Sequence, residues 1–262
     1  MAYYREICKT GNVIEVRKTI SYVESAKGKK RAKKLHPTLR AVAKNNERSA
    51  ERKLRRLINT NFGPDDLHIT LTYKDEPPDP EAAKKEIEKF LRRLRREFRK
   101  QGQELKYILV TEYQKKRIHH HLIINQIEYA IVRKLWEHGR TRFVALDDAG
   151  QYDHLASYLI KETSKTFKTD KGASGKRWNQ SRNLKPYDEL KREKIRAKEW
   201  RKEPVPFKGY MLEKDKVINF QWTIDGQYFE TQEYSMVRIP ELDIGRKKKC
   251  RKRQTRNGPS PG

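Results

Sequence analysis

Hydrophobic and polar positions alternate along some stretches of this chain and recur at helical spacing along others. From Leu67 to Tyr73, aliphatic residues and threonines take turns with period two, predicting a strand with one buried face. Pro77, Pro78 and Pro80 mark a loop and a helix start. Ile87, Leu91, Leu94 and Phe98 then recur at helical spacing between Glu81 and Lys100. Two apolar runs follow, Tyr107–Val110 and Leu122–Ile124, joined through polar residues at 113–117, which reads as a β-hairpin. A helix is expected near Glu128–His138, a strand at Thr141–Leu146, and an amphipathic helix over Asp153–Lys165. The order β-α-β-β-α-β-α predicts an α+β fold of ferredoxin-like layout, an antiparallel sheet with helices on one face and functional groups on the other.

Outside that middle third the pattern thins. Tyr4–Thr10 and Val13–Arg17 around Gly11-Asn12 predict an N-terminal hairpin. Leu39, Val42, Ala43, Ala50, Leu54 and Leu57 trace a narrow apolar stripe, so a helix is expected over about 38–58. Residues 168–178 read as a polar loop and Lys185–Lys202 as a charged helical segment. Val217–Ile224, Asp225-Gly226 and Gln227–Thr231 predict a second hairpin, and the end, with Arg246–Arg253, a disordered basic tail. Four segments result: 1–60, hairpin and basic helix; 61–167, the α+β core; 168–240, an accessory loop, helix and hairpin; 241–262, the tail. No internal repeat is found.

Charge then narrows the partner. The formal net charge is +27 over 262 residues, and such an excess points to a polyanion, nucleic acid before a membrane surface. From Ala26 to Leu57 there are thirteen Lys or Arg against two Glu, so intrahelical pairing cannot offset the repulsion and phosphate contact is expected there. No stretch approaches the roughly 18 apolar residues of a membrane span, and the N-terminus lacks the apolar segment of a signal peptide. The two cysteines, Cys8 and Cys250, lie at opposite ends, which excludes a disulfide framework and suits a reduced, cytoplasmic protein. No GxxxxGK[ST] stretch occurs, so strand separation is expected to fall to a host helicase.

The candidate chemistry sits in the central hairpin and the helix that follows. Side chains alternate along a strand, so His119, His121 and Ile123 share one face, and Ile118, His120, Leu122 and Ile124 the other, core-like face. Two imidazoles at i and i+2, with the Glu112 carboxylate from the partner strand, form a plausible divalent-metal site, and this donor set does not choose the metal. Three ordinary surface histidines are the plain alternative. In the later helix, His154, Tyr158, Lys161 and Lys165 fall within about 60° of one another, while Tyr152, Leu155 and Leu159 point to a core side. A tyrosine is thus presented one turn from lysines.

These residues resemble the HUH endonucleases, specifically the single-tyrosine rolling-circle replication initiators of plasmids, phages and integrated elements. Leu67-His-Ile-Thr-Leu-Thr-Tyr73 resembles the family's structural strand, His119-His-His121 its metal motif, and Tyr158-Leu-Ile-Lys161 its nucleophile motif. The ordered set spans Leu67–Lys165. A histidine stands in the middle of the metal motif where many members have an aliphatic residue, so the binding pair is open among three, with strand parity favouring His119 and His121.

The resemblance implies that Glu112, His119 and His121 hold Mn²⁺ or Mg²⁺, and that Tyr158 attacks a DNA phosphodiester to give a 5′-phosphotyrosine link and a free 3′-hydroxyl. Lys161 would lower the phenol pKa, ordinarily near 10, or stabilise phosphate charge. Tyr152 is the fallback nucleophile. The expected substrate is single-stranded DNA, in an origin hairpin, contacted by Arg117, Lys165, Arg177, Trp178 and Arg182. Trp178 fits equally well as an anchor of its loop to the core. Competing readings are a non-catalytic basic nucleic-acid-binding module, an HUH relaxase or transposase, and a ribosome-associated RNA-binding role that explains the charge but not the ordered motifs.

Overall fold

The computed structural model describes residues 2–21, 40–75, 77, 79–114, 117–147, 151–166, 176–189, 192–196, 200–224 and 227–239. The expected loop at 168–175, the Asp225-Gly226 turn and the basic tail lie outside the described residues. Strands β1 (Ala2–Thr10) and β2 (Val13–Ser21) form the N-terminal hairpin, Thr10 opposite Val13 across its turn. Gly11 adopts φ +56°, and a Cβ there would sit 2.2 Å from the carbonyl oxygen of Asn59, so only glycine fits. Asn59 belongs to helix α1 (Arg40–Asn61), whose Leu54, Leu57 and Ile58 are buried.

The middle third forms the expected core. Strand β3 (Leu67–Thr72) leads into α2 (Pro80–Lys100), which starts where Asp79 accepts from the Ala82 amide at 2.7 Å and proline occupies the first helical position. Then come β4 (Tyr107–Gln114), β5 (Arg117–Ile124), α3 (Tyr129–Leu135), β6 (Thr141–Ala145) and α4 (Asp153–Thr166). The sheet order is β6-β3-β5-β4, every pair antiparallel, which is the ferredoxin-like arrangement. A two-residue strand β7 (Asn179–Gln180) extends it beside β4.

Parity sorts the sheet's side chains into two cores. Leu67, Ile69, Leu71, Leu109, Leu122 and Ile124 pack with Phe90, Leu94 and Phe98 of α2 and Val132 of α3. Each fully buried Phe or Leu there contributes roughly 2–3 kcal/mol. Ile108, Val110 and Ile123, on the other face, pack against Leu54 and Ile58 of α1 and Ala156, Leu159 and Ile160 of α4. Thus α2 and α3 cover one face as expected, and α1 and α4 add a layer over part of the other, bringing the tyrosine-bearing helix onto the face that carries Glu112 and His121.

The chain's two ends meet in a second sheet. Strands β8 (Asp188–Glu189), β9 (Glu193–Ile195), β10 (Tyr210–Leu212), β11 (Ile218–Ile224) and β12 (Gln227–Arg238) join β1 and β2 in the order β10-β12-β2-β1-β8, with β11 also on β12 and β9 on β1. The helical segment expected over Lys185–Lys202 is a correction: its described residues form β8 and β9 along the free edge of β1. That segment has Pro186 near its start and no apolar stripe for a helix to bury, so main-chain pairing with an open edge prevails. The predicted β11–β12 hairpin is present, and β12 pairs with β2.

A buried carboxylate ties this sheet to the core. Glu15 accepts from Nε of Arg55 and of Arg56 on α1, both at 2.7 Å, while Arg52 reaches Glu233 of β12 at 3.5 Å. Three arginines of the basic helix are therefore engaged within the fold. Among the described residues no helix is long and apolar enough to cross a membrane.

Candidate active site

The hairpin places its three histidines as parity requires. His120 is fully buried on the α2 side, between the Tyr73 hydroxyl and the Thr111 hydroxyl, each 2.9 Å from a ring nitrogen. Burial, followed by the neighbouring His121 and His119, lowers its pKa to about 3, so the ring is neutral. Tyr73 donates to the Ala83 carbonyl at 3.4 Å, which leaves its oxygen to accept from His120 Nε2–H and the Thr111 hydroxyl to donate to Nδ1. Both ring nitrogens are satisfied. His120 is a core residue, and the pair left on the opposite face is His119 and His121.

On that opposite face His121 is buried, and its Nε2 lies 3.2 Å from Glu112 Oε2, also buried. Burial is the main reason that the His121 pKa falls to about 4; His68 and His119 push the same way, and Glu162 opposes them. The contact is therefore a hydrogen bond from a neutral imidazole and not an ion pair. With Nε2–H donating to Glu112, Nδ1 accepts from His68 Nε2 at 3.4 Å or the Thr70 hydroxyl at 3.5 Å. His68 stacks on His121 with ring centroids 5.6 Å apart, and burial, then Arg142, lowers its own pKa to about 4. His119, half-buried, stands directly across the strand pair from Glu112.

Helix α4 brings the tyrosine to this group. Its Leu159 and Ile160 are buried while His154, Tyr158 and Lys161 are exposed, as the helical stripe predicts. Tyr158 is 44% exposed, and its ring stands edge to face with His121, centroids 5.3 Å apart. One phenol thus combines access from solvent with contact to the histidine–carboxylate pair. Lys161 lies one turn further on the same exposed stripe. Tyr152 is buried and its hydroxyl donates to the Asp147 carbonyl at 3.0 Å, a core role.

The expected DNA contacts are more scattered. Arg117 is exposed at the start of β5 and Arg182 is exposed beyond β7, while Arg177 is half-buried. Trp178 packs against the α1–α4 core and its Nε1 donates to Gln180 at 3.0 Å, which makes it an anchor of this segment. The Lys165 side chain lies outside what is described.

Sequence reasoning missed His68, Thr70 and Glu162. His68 and Thr70 share parity within the strand read only as structural, so the argument that paired His119 with His121 applies to them too. Glu162 lies just beside the Tyr158 stripe, where one acid among lysines resembles surface decoration; it is buried.

In donor type, Glu112, His119 and His121 fit a divalent ion: one carboxylate and two imidazoles on one face of adjacent strands, with the His121 ring held neutral. Among the described residues, no group of three or more His, Cys, Asp or Glu is gathered closely enough to hold an ion as it stands. Glu112 and His121 instead bond to one another.

Residues 66–167 match the family model of the replication-associated protein ORF2. The matched stretch runs from the start of β3 through α4, and so contains every residue of the site just described. It supports a role in the initiation of replication, and with it an association with DNA. No curated protein and no solved structure matched the chain.

Proposed function

We propose that this protein is an HUH-type, single-tyrosine initiator of rolling-circle replication that nicks and rejoins single-stranded DNA. The observation that carries this reading is the contact between the exposed Tyr158 ring and His121, itself bonded to Glu112, inside the replication-associated region.

In the proposed step the Tyr158 phenolic oxygen attacks the scissile phosphorus and the DNA 3′-oxygen leaves. One P–O bond forms and one breaks, the phenol gives up its proton and the leaving oxygen gains one. The link keeps the energy of the phosphodiester, so a 3′-hydroxyl reverses it and strands can be rejoined, while the released 3′ end primes synthesis. A divalent ion, Mn²⁺ or Mg²⁺, held by Glu112, His119 and His121 would supply positive charge at the phosphate. Lys161 adds a second positive charge one turn from the nucleophile and favours the phenolate. His68 and Thr70, on Nδ1, hold the His121 ring so that Nε2 faces Glu112. Arg117, Lys165, Arg177 and Arg182 track the DNA backbone. The substrate we assign is an origin hairpin presented as single-stranded DNA, unwound by a separate helicase in the cytoplasm.

The test is a denaturing gel with labelled single-stranded DNA pools, including stem-loops from the protein's own locus, and Mn²⁺ or Mg²⁺. The reading requires an SDS-resistant protein–DNA adduct that EDTA abolishes and Tyr158→Phe does not form. DNA binding without any adduct would favour the non-catalytic binding module.

A further inference from the structure

The second sheet ends in an edge that is built unlike the rest of this protein. Strand β11 pairs with β12 on one side, and among the described residues no strand pairs with its other side. An open seven-residue edge is a template for another strand, and proteins that avoid such pairing blunt their edges with Lys, Pro or bulges. This chain has 62 Lys and Arg, yet none between Val217 and Val237, its longest run without either. Ile218 and Phe220 on β11 are 57% and 59% exposed. The protection is missing where the supply of lysine is greatest.

Charge selects the occupant. The run carries Asp225, Glu230 and Glu233 and no base, so it is a poor surface for nucleic acid. It is also where two copies of a chain with net charge +27 can approach without setting lysines against lysines. The strand sequence Ile218-Asn-Phe-Gln-Trp-Thr-Ile224 is self-complementary about its centre. An antiparallel pair centred on Gln221 sets Ile218 across from Ile224, Asn219 from Thr223, Phe220 from Trp222 and Gln221 from itself. Apolar positions meet apolar ones and polar positions meet polar ones, which stabilises a cross-strand pair.

We propose that β11 pairs with β11 of a second copy, antiparallel and centred on Gln221, joining two seven-stranded sheets into one isologous dimer. This is independent of the nicking chemistry, and DNA is left out of its test. Nucleic-acid-free, full-length protein is examined by sedimentation velocity in high salt. A dimer is expected at micromolar concentration. Ile218→Lys, at an exposed site, should weaken it by about tenfold or more by burying a charge at the seam. The register is read in a Cys250→Ser background with single added cysteines. Gln221→Cys faces its own copy within disulfide reach and crosslinks on mild oxidation, whereas Asn219→Cys is four residues off its copy and does not. A native chain that sediments as a monomer overturns the proposal. So does a dimer that survives Ile218→Lys, or one in which Asn219→Cys crosslinks as well as Gln221→Cys.

Discussion

Each of the three consecutive histidines has its own surroundings, and the consequences differ. His120, held between Tyr73 and Thr111, is a structural residue. His120→Leu leaves both hydroxyls without the ring and should cost about 2–4 kcal/mol at pH 7 in chemical denaturation, with no loss of Mn²⁺ binding by the folded fraction. His121→Ala should lose that binding, because it removes a proposed donor. The pH dependence has a definite sign. In the folded state His120 keeps a pKa of about 3, and His68 and His121 about 4, against 6.5 for a free imidazole. Below pH ~6.5 the unfolded chain takes up protons that the folded chain refuses, so stability falls as the pH drops from there towards 4. For His120 alone the loss between pH 7 and pH 5 is about 2 kcal/mol, and His120→Leu should flatten the denaturation profile by that amount.

At the scale of elements, the central hairpin, β3, α2 and α4 were legible because each buries one face and so carries an unbroken period. Helix α1, expected over about 38–58, runs Arg40–Asn61. The pairing of β2 with β12, more than two hundred residues apart, left no trace in the local pattern, since periodicity names a strand and not its partner. The strands at Asp188–Glu189 and Glu193–Ile195 were illegible for a related reason: two or three residues are too short for any period, and the open edge of β1 decides their form. Within the site, residues that declare themselves by spacing were found, whereas His68 and Glu162, which matter only through what packs against them, were not. The contact between hairpin β1–β2 and α1 is sharply testable. Gly11→Ala brings a Cβ onto the Asn59 carbonyl at positive φ, and Glu15→Ala strands Arg55 and Arg56. Each should cost about 2–4 kcal/mol and speed limited proteolysis of the N-terminal hairpin. Unchanged proteolysis in both would show that the sheet does not depend on this contact.

Across the whole molecule, charge and fold divide the work. Several arginines of α1 are bound to carboxylates of the second sheet, so the net charge overstates what is available to DNA. Affinity for single-stranded DNA should still fall steeply with salt. Six phosphate contacts give a slope of about −4 in log K against log salt by titration, and a slope near zero would remove the electrostatic account. The central claim concerns one oxygen atom, and it can be read directly. The protein–DNA adduct is digested with nuclease and trypsin and the modified peptide is fragmented in a mass spectrometer. The peptide Phe143–Lys161 contains both Tyr152 and Tyr158, and the account predicts a nucleotide 5′-phosphate on Tyr158. A nucleotide on Tyr152, or on any residue outside α4, would contradict it.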